Sequence, residues 1–405
     1  MIQQDIWLVA VTAGKWQRHG ICEAKAAGLK VVAIDADLNA EGFLDADIVL
    51  NMDLTDHQFV IASLQELNLN IRGAVSFVSE AGMLLAAQIR EHFRLPGLSY
   101  EFCKRFIDKG IQRRIWSENG IYSPKWMIFS DKEYALISVP SFDFPFIIKP
   151  TDSSGSRGVT KIESIADDIF SAIDTAFAFS RSGEIIIEDF MNGPEFTVEI
   201  FAIDEFINVL AVTEKKKVDG TRGTVARELA TPDRSLFTID KVKKSVIEAF
   251  SALNYKSGPG HAEVILQDDG NIGLIEVAAR GGGFMVFEKL VPAVSGINIA
   301  KLTAMQAVGI PVKINELEQK SAVLRFFPSR PGRLKEVSGF DKINLIPGVQ
   351  GESFVKAGDN FNQALTDGDR LGYILTLAET PKKAQALADK AERFIKFTFG
   401  DICDH

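Results

Sequence analysis

The chain has 405 residues, about two to three times the usual length of one domain, so we expect several domains. Apolar residues make up 46% of the chain and charged residues 24%, and the mean hydropathy is +0.07. This composition excludes a disordered chain and a membrane protein. The 45 Lys and Arg against 54 Asp and Glu give a net charge of −9, which argues against nucleic-acid and membrane partners.

The cysteines and the N-terminus indicate a cytoplasmic protein. Cys22, Cys103 and Cys403 are far apart in the sequence, so neither a disulfide framework nor a zinc site is expected. The first 14 residues lack the basic segment that begins a signal peptide, and the chain has no uncharged run of the roughly 20 residues that a membrane span needs.

Short apolar runs alternate with helical patterns in the first hundred residues. We predict strands at Ile6–Val11, Val31–Asp35, Asp47–Asn51 and Ala74–Val78. Strands that alternate with helices favour a parallel sheet, and we therefore predict a Rossmann-like domain over residues 1–97.

A dinucleotide cofactor is the first alternative to consider for such a domain. Gly14 ends the first strand, and Asp35 follows it 21 residues later, about where a dinucleotide fold keeps its ribose-binding acid. The GxGxxG fingerprint is absent, because the next glycines after Gly14 are Gly20 and Gly28. An NAD-dependent oxidoreductase would therefore rest on Gly14 and Asp35 alone.

The remaining chain mixes helices and strands in an α+β pattern. We predict one domain over residues 98–319, with a lid subdomain at about 115–190, and a C-terminal α+β subdomain over 320–405. The last segment starts with a strand-like run at Ala322–Phe327 and is predicted to end in a helix. Thr380 suits the N-cap of that helix and Pro381 its first position.

One predicted hairpin carries two opposed carboxylates. Asp269-Gly270 lies between two apolar runs, which favours a two-residue turn. Counting back from that turn places Glu263 directly opposite Glu276, and the apolar neighbours suggest that both are partly buried. A cation between them would remove the repulsion. Mg²⁺ suits such a site, because it binds oxygen ligands and needs few of them from the protein. A register shifted by one residue, or neutralisation by Lys or Arg side chains, would explain the pattern equally well.

Two further stretches have the composition of ligand-binding loops. Lys149 closes an apolar strand and precedes a Ser/Gly-rich loop at 151–159, as in a phosphate cradle, although the order differs from a Walker A loop. A strand at Ile185–Glu188 leads into an acidic and aromatic segment and returns through Gly193-Pro194, which offers an apolar floor to a flat ring. Each stretch alone is also compatible with an ordinary surface loop.

In this order, the motifs resemble the ATP-grasp superfamily along nearly the whole chain. The resemblance rests on Lys109 before a helix, FPFIIKP with SSGSRGV, IIIEDFMNGPEFTVE, GHAEVIL and LIEVAARGGG. The stretch from Glu276 to Gly283 is most similar to carboxylate–amine ligases of the L-amino acid (dipeptide) ligase type. The first domain would then be the pre-ATP-grasp domain and residues 98–319 the ATP-grasp domain.

The resemblance implies a role for each matched position. Lys109 and Lys149 would contact the phosphates of ATP, Glu195 would bind the ribose, Glu263 and Glu276 would hold Mg²⁺ or Mn²⁺, and Arg280 would stabilise charge on the transferred phosphoryl group. The lid loop over the phosphates would comprise Ser153, Ser154, Gly155, Ser156 and Gly158. The adenine hinge would comprise Glu188, Asp189, Phe190 and Met191.

The implied activity is ATP-dependent amide formation from small carboxylate and amine substrates through an acyl phosphate. Lys215 and Arg227 are candidates for binding a substrate carboxylate, and Gly282 for a close approach of substrate to the backbone. Ala278 departs from the family pattern, because many members have an Asn there that helps to hold the second metal. A homodimer is common in the superfamily. The alternatives are a carboxylating or purine-pathway ATP-grasp enzyme, and an ATP-binding sensor without turnover.

Overall fold

The computed structural model of the chain describes residues 5–218 and 225–400. Its N-terminal part begins with a parallel four-stranded sheet, which confirms the predicted α/β start. The strands and helices of this part are β1 (Trp7–Val11), α1 (Lys15–Ala26), β2 (Lys30–Asp35), β3 (Ile48–Asn51), α2 (His57–Glu66), β4 (Ile71–Val75) and α3 (Met83–Phe93). The strand order is β3-β2-β1-β4.

The fourth strand ends earlier than the predicted Ala74–Val78. The Gln17 side chain of α1 accepts hydrogen bonds from the backbone N–H groups of Phe77 and Val78, at 3.0 and 3.2 Å. These donors therefore serve a tertiary contact and do not extend the sheet. The chain leaves β4 at Val75 and turns towards the centre of the molecule.

A smaller antiparallel sheet lies within the residues predicted as a lid. Two helices precede it, α4 (Tyr100–Lys104) and α5 (Lys109–Glu118). The elements of the sheet region are β5 (Trp126–Phe129), α6 (Lys132–Ser138), β6 (Phe146–Pro150), β7 (Thr160–Ile162), α7 (Ile169–Phe179) and β8 (Ile185–Asp189). The strand order is β5-β8-β6-β7, and α6 and α7 cover an apolar core on one face.

The rest of the chain is organised around an eight-stranded sheet. Its middle section supplies β9 (Glu195–Ile203), β10 (Phe206–Lys217), β11 (Ala226–Ala230), α8 (Leu236–Ala252), β12 (Gly258–Leu266), β13 (Ile272–Ala278), α9 (Val291–Ser295) and α10 (Ile299–Ala307). The last section supplies β14 (Ser321–Pro328), β15 (Gly332–Ser338), α11 (Phe340–Ile343), β16 (Val349–Ser353), β17 (Asn360–Phe361), β18 (Arg370–Ala378), α12 (Pro381–Glu392) and β19 (Lys396–Gly400).

The eight-stranded sheet is continuous across residue 320. Its order is β13-β12-β9-β10-β11-β14-β18-β16, and Leu229 of β11 pairs with Leu324 of β14. The separation of a C-terminal subdomain at 320 therefore stays a prediction. None of the helices in the described ranges has the length and apolar composition needed to cross a bilayer.

The start of the C-terminal helix is predicted correctly, but a further strand follows this helix in the described chain. Thr380 accepts a hydrogen bond from the Lys383 backbone N–H, and Pro381 is the first helical residue. The helix stops at Glu392, and β19 follows and pairs with β15. Pairing with a distant strand, which the local pattern does not reveal, overrides the helical periodicity after Glu392.

A buried ionic network attaches α12 to the eight-stranded sheet. Arg325 of β14 contacts Glu228 of β11 at 2.5 Å and two acids of α12, Asp389 at 2.8 Å and Glu392 at 2.5 Å. Burial by itself would raise the pKa of Glu228, but Lys216 and Arg325 outweigh that effect and lower it. Glu228 is therefore ionised in the folded chain at neutral pH.

Replacing Glu228 with glutamine is expected to lower the free energy of unfolding at pH 7 by about 3 kcal/mol, because the change leaves Arg325 without its most buried partner. Since the folded-state pKa lies below the unfolded value, the stabilisation is present above the unfolded pKa and is lost as the pH falls through the folded pKa. Urea unfolding from pH 7 down to pH 3 should therefore show the difference from wild type shrinking below about pH 4.5.

A matched control is Glu379→Gln. Glu379 lies just before α12, and its exposed carboxylate pairs with Lys383, four residues later in the first turn of the helix. It should leave the unfolding curve essentially unchanged. A difference between wild type and Glu228→Gln that is the same at every pH would contradict the assignment of Glu228 as an ionised partner.

Candidate active site

Two cavities meet at the side chain of Lys215. The first, of about 500 Å³, lies between the N-terminal sheet and the eight-stranded sheet, and we call it the central cavity. The second, of about 1040 Å³, lies between the small antiparallel sheet and strands β9 and β10, and we call it the lateral cleft. Trp16, Glu80, Glu263, Glu276, Arg280 and Arg370 line the central cavity, whereas Phe190, Met191 and Glu195 line the lateral cleft.

The predicted opposition of Glu263 and Glu276 is confirmed. The two residues are cross-strand partners in the β12–β13 hairpin, and their side chains are 21% and 20% exposed. The predicted two-residue turn is wrong, because Leu266 pairs with Ile272 and leaves a five-residue connection. A bulge at Ile275 shifts the register by one position and restores the pairing of the two glutamates.

Each of the two carboxylates has its own lysine. Lys109 Nζ lies 2.7 Å from Glu276 Oε2, and Lys215 Nζ lies 2.9 Å from Glu263 Oε1. Burial would raise the pKa of both carboxyl groups, but the lysines lower it, that of Glu263 well below its usual range. Neutralisation by lysines and the opposition of the two acids therefore coexist in this structure.

The donor set around this pair fits Mg²⁺ when nucleotide supplies the remaining ligands. Two ionised carboxylates face the central cavity, and Mg²⁺ in proteins is commonly held by one or two carboxylates together with substrate phosphates. Within 5–218 and 225–400, no group of three or more His, Cys, Asp or Glu residues is placed to hold a metal. The chain therefore offers a partial metal site that phosphate oxygens would complete.

Lys109 connects the hairpin to the Ser/Gly loop. It is the first residue of α5, and Asp108 caps that helix by accepting a hydrogen bond from the Ile111 N–H at 3.0 Å. The Nζ of Lys109 donates to the carbonyl of Ser153 at 2.9 Å as well as to Glu276. The nearby carboxylates more than offset burial and raise the pKa of Lys109, so its ammonium group stays charged.

The loop after Ser153 extends over both cavities. Ser154, Gly155 and Ser156 line the central cavity, and Gly158 lines the lateral cleft. Gly155, Ser156 and Gly158 have φ values of +66°, +58° and +76°. Positive φ values of this kind form a tight turn in which glycine is favoured, and such a turn lets the backbone approach a ligand closely.

Lys149 and Glu188 form a buried pair beneath the lateral cleft. Lys149 Nζ donates to Glu188 Oε1, and Arg113 of α5 contacts Glu188 Oε2 at 2.9 Å. Burial would raise the pKa of Glu188, but Arg113 and Lys149 together lower it. The Glu188 carboxylate therefore has two cationic partners within the protein, and neither Lys149 nor Glu188 lines either cavity.

The remaining residues predicted as hinge and ribose contacts lie mostly at the lateral cleft. Phe190, Met191 and Glu195 line the cleft, and Glu195 is held by Lys215 at 2.7 Å and Lys217 at 2.6 Å. Asp189 does not line it. Burial raises the pKa of this carboxyl group, and its Oδ1 atom is buried with no hydrogen-bond partner among the described residues. The cleft thus has an apolar wall and, on strands β9 and β10, a row of ion-paired side chains.

Arg280 is brought to the central cavity and meets an acid from the N-terminal part. Its Nη2 lies 2.6 Å from Glu80 Oε1, and its Nη1 donates to the Gly281 carbonyl at 2.9 Å. The Nε of Arg280 is buried and has no partner in the described structure. Glu80 follows β4, and its carboxylate outweighs burial and raises the pKa of Arg280.

The three residues predicted to bind substrate are in different places. Lys215 lies at the junction of the cavities and is shared between Glu195 and Glu263. The N–H of Gly282 donates to Glu199 Oε2 at 3.1 Å, and a Cβ at Gly282 would lie 2.7 Å from the other oxygen, so the close approach there is made by a protein side chain.

Arg227 is not brought to the central cavity. Its guanidinium contacts Glu392 and donates to the Phe326 carbonyl, on the side of β11 that faces α12. The cation-rich stretch 214–228 that suggested it crosses residues 219–224, which lie outside the described residues.

Four residues of the site were not predicted from the sequence. Two of them, Glu80 and Arg370, line the central cavity. Glu199 accepts the N–H of Gly282 beside that cavity, whereas Arg113 holds Glu188, which lines neither cavity. Glu80 had a usable signal, because side chains just after the carboxyl end of a parallel strand gather at one sheet edge.

His261, between Glu199 and Glu263, has its pKa raised to about 9, because the two carboxylates outweigh its burial.

Known proteins match both the centre and the end of the chain. Residues 142–288 match the sequence model of the ATP-grasp domain, and residues 325–400 match that of L-amino acid ligase C-terminal domain 2. An uncharacterised protein, y4rH, of Sinorhizobium fredii is 24% identical over 366 residues, covering 88% of this chain and 74% of that protein. The D-alanine–D-alanine ligase of Bordetella avium is 28% identical over 210 residues, 48% of this chain and 63% of the ligase.

A solved structure shares the whole fold. The L-amino acid ligase from Bacillus licheniformis superposes with a TM-score of 0.83 at 21% identity, covering 98% of this chain and all of that one. The matched sequence model and the shared fold together identify an ATP-grasp domain in this chain. The match over residues 325–400 and the D-alanine–D-alanine ligase show that the chain is similar to ATP-dependent carboxylate–amine ligases.

Proposed function

We propose that this ligase joins the carboxyl group of one amino acid, or of a similar small acid, to the amino group of another through an acyl phosphate. The observation that carries the proposal is the Glu263–Glu276 pair with its two lysines, at the junction of the central cavity and the lateral cleft. A phosphoryl group passing from a nucleotide in the cleft to an acid in the cavity would cross this cluster. The match to the L-amino acid ligase C-terminal domain supports amino acids as substrates.

ATP would occupy the lateral cleft with its phosphates under the Ser/Gly loop. Phe190 and Met191 would contact the adenine, and Glu195 the ribose hydroxyls. Lys109 would leave Glu276 for the phosphates, because an ammonium between two anions gains by moving to the more highly charged one. Lys149 is one layer deeper and would act on the phosphates only if its pair with Glu188 rearranges.

The chemistry would proceed in two steps. A carboxylate oxygen of the acid attacks the γ-phosphorus of ATP, the bond to the β-phosphate bridging oxygen breaks, and ADP leaves. The amine then attacks the acyl carbon, the bond from that carbon to the phosphate oxygen breaks, and amide, phosphate and one proton are released. Mg²⁺, held by Glu263 and Glu276, would offset the charge of the phosphates.

The chain's own residues would position these groups and neutralise their charge. Glu263 and Glu276 would hold the metal, and Arg280 would stabilise the oxyanion on the transferred phosphoryl group. Glu80 keeps Arg280 aimed into the central cavity from the opposite wall. Catalysis of this kind rests on orientation, and no covalent intermediate with the enzyme is needed.

The test is phosphate release from Mg-ATP with all twenty amino acids, singly and in pairs, and with bicarbonate in a separate arm. We expect release above background only in mixtures that also form an amide, seen as a product whose mass is that of the two joined amino acids minus water. Acid labelled with ¹⁸O in its carboxylate should transfer one labelled oxygen to phosphate, because that oxygen becomes the bridge of the acyl phosphate.

Other outcomes separate the alternatives. Release that requires bicarbonate would indicate a carboxylating enzyme, and ATP binding without any ADP formation would indicate a sensor. Release with unlabelled phosphate would overturn the acyl phosphate and leave the amide product standing.

A further inference from the structure

The central cavity contains an arginine that the proposed chemistry does not use. Arg370 is the first residue of β18, its side chain is 3% exposed, and it reaches the cavity from the wall opposite the N-terminal sheet. Its guanidinium lies over the ring of Phe326 at 3.7 Å and near that of Phe284 at 4.7 Å. The flanking rings fix the plane of the guanidinium and leave its edge as the face for polar contacts.

The guanidinium has more donors than its protein partners use. Nη2 contacts Asp367 Oδ1 at 2.5 Å and donates to the Ala226 carbonyl at 3.3 Å, and Nε is buried without a hydrogen-bond partner in the described structure. Asp367 Oδ1 is shared, because it also accepts the backbone N–H of Ala226 at 2.9 Å. Among the described residues, the Nε–H of Arg370 therefore has no acceptor. The Asp367 oxygen that pairs with Arg370 also accepts a backbone N–H.

The other buried cations that line the cavity are committed to the reaction centre. Lys215 is held by two carboxylates, His261 lies between Glu199 and Glu263, and Arg280 is held by Glu80. Arg157, in the loop over the cavity, is exposed and donates to the Ser154 carbonyl. Among the described residues, Arg370 is the buried cation of this cavity that lies apart from the Glu263–Glu276 cluster.

The proposed reaction needs a second anion site of this kind. When the amine donor is itself an amino acid, its own carboxylate would compete for the metal and the phosphoryl group unless another group holds it. A guanidinium binds a carboxylate through two parallel hydrogen bonds, which also orients the molecule that carries it. Aromatic and aliphatic walls from Trp16, Phe284 and Val286 lie between Arg370 and the N-terminal sheet and suit the side chain of such a substrate.

We propose that Arg370 binds the carboxylate of the amine-donating amino acid and so selects α-amino acids over simple amines as acceptors. This inference rests on the proposed function and adds to it the residue that binds the acceptor. Arg370 is a binding residue here and does not touch the reacting atoms. Occupation of the Arg370 edge leaves the amino group of the acceptor free to face the acyl carbon.

The test is a competition between acceptors. Wild type and variants receive Mg-ATP, the twenty amino acids, and an equal concentration of the twenty α-amides, and mass spectrometry measures the ratio of dipeptides to dipeptide amides. We expect wild type to favour dipeptides by at least about 10-fold, since a charge-assisted pair at a buried site has that effect on binding. Arg370→Met should bring the ratio close to one, and Arg370→Lys should give an intermediate ratio.

The ratio is an internal measure that a general loss of activity does not change. Arg333→Met is the control, because Arg333 is an exposed arginine of the same C-terminal section that lies outside the cavity, and it should keep the wild-type ratio. An unchanged ratio in Arg370→Met, or loss of preference in Arg227→Met in its place, would overturn the proposal. Absence of any amide product in wild type would instead refute the proposed function.

Discussion

Replacing Glu276 with glutamine is expected to reduce phosphate release from Mg-ATP by at least about 100-fold. Glutamine keeps the shape of the side chain and can still accept a hydrogen bond from Lys109, but it removes one of the two charges opposed across the hairpin. The metal would lose an anionic ligand, and Lys109 would lose the partner that holds it beside the phosphates. Steady-state phosphate release at saturating nucleotide measures the effect.

The matched control is Asp268→Asn, the same acid-to-amide change at an exposed position in the connection of the same hairpin. Its activity should stay within about twofold of wild type, since Asp268 lines neither cavity and its exposed carboxylate accepts a long hydrogen bond from Asn192, at 3.4 Å. Thermal unfolding of both variants checks that the hairpin still forms. Full activity in a folded Glu276→Gln protein would remove Glu276 from the proposed metal site.

Replacing Arg113 with methionine is expected to lower the free energy of unfolding by about 3 kcal/mol. Arg113 is fully buried, contacts Glu188 through Nε at 3.1 Å and Nη2 at 2.9 Å, and donates to the Ile275 carbonyl at 3.0 Å. Without it, Glu188 keeps one cation of two and the bulged carbonyl of Ile275 loses its donor. Urea unfolding at pH 7 measures the loss.

The neighbouring Arg114 provides the control, because it lies on the same helix and is exposed. Arg114→Met should change the free energy of unfolding by less than about 1 kcal/mol. Equal effects of the two variants would mean that the buried ion pair does not stabilise the fold beyond the helix itself.

The paired charges also suggest how the site changes when nucleotide binds. Lys109, Lys215 and Arg280 each have a carboxylate partner within the protein, so these charges are neutralised in pairs. Under the proposed function, Lys109 would exchange Glu276 for the phosphates, and Glu263 and Glu276 would hold the metal. Entry of either ligand alone would leave buried charges without partners, which is costly.

Local signals predicted the elements and one contact of the site. Alternation of strands and helices identified the parallel N-terminal sheet, and the turn signal at Asp269-Gly270 led to the Glu263–Glu276 pairing. The predicted turn differs from the observed connection, and the bulge at Ile275 compensates for the resulting shift of one position in the register. A bulge of this kind depends on what packs against the strand. Here Arg113, on a helix 162 residues earlier in the chain, donates a hydrogen bond to the Ile275 carbonyl.

The sequence by itself determined the order of the motifs, the parallel sheet and the presence of one acid on each strand of the same hairpin, because these depend on residues close together in the chain. Only the tertiary structure decided which cation each acid meets: Lys109 comes from α5, Lys215 from β10, and the partner of Arg280 from the loop after β4. It also turned Arg227 away from the cavity and brought Arg370 into it. Such contacts join residues far apart in the chain, and their geometry is fixed by how the sheets pack, which no local pattern encodes.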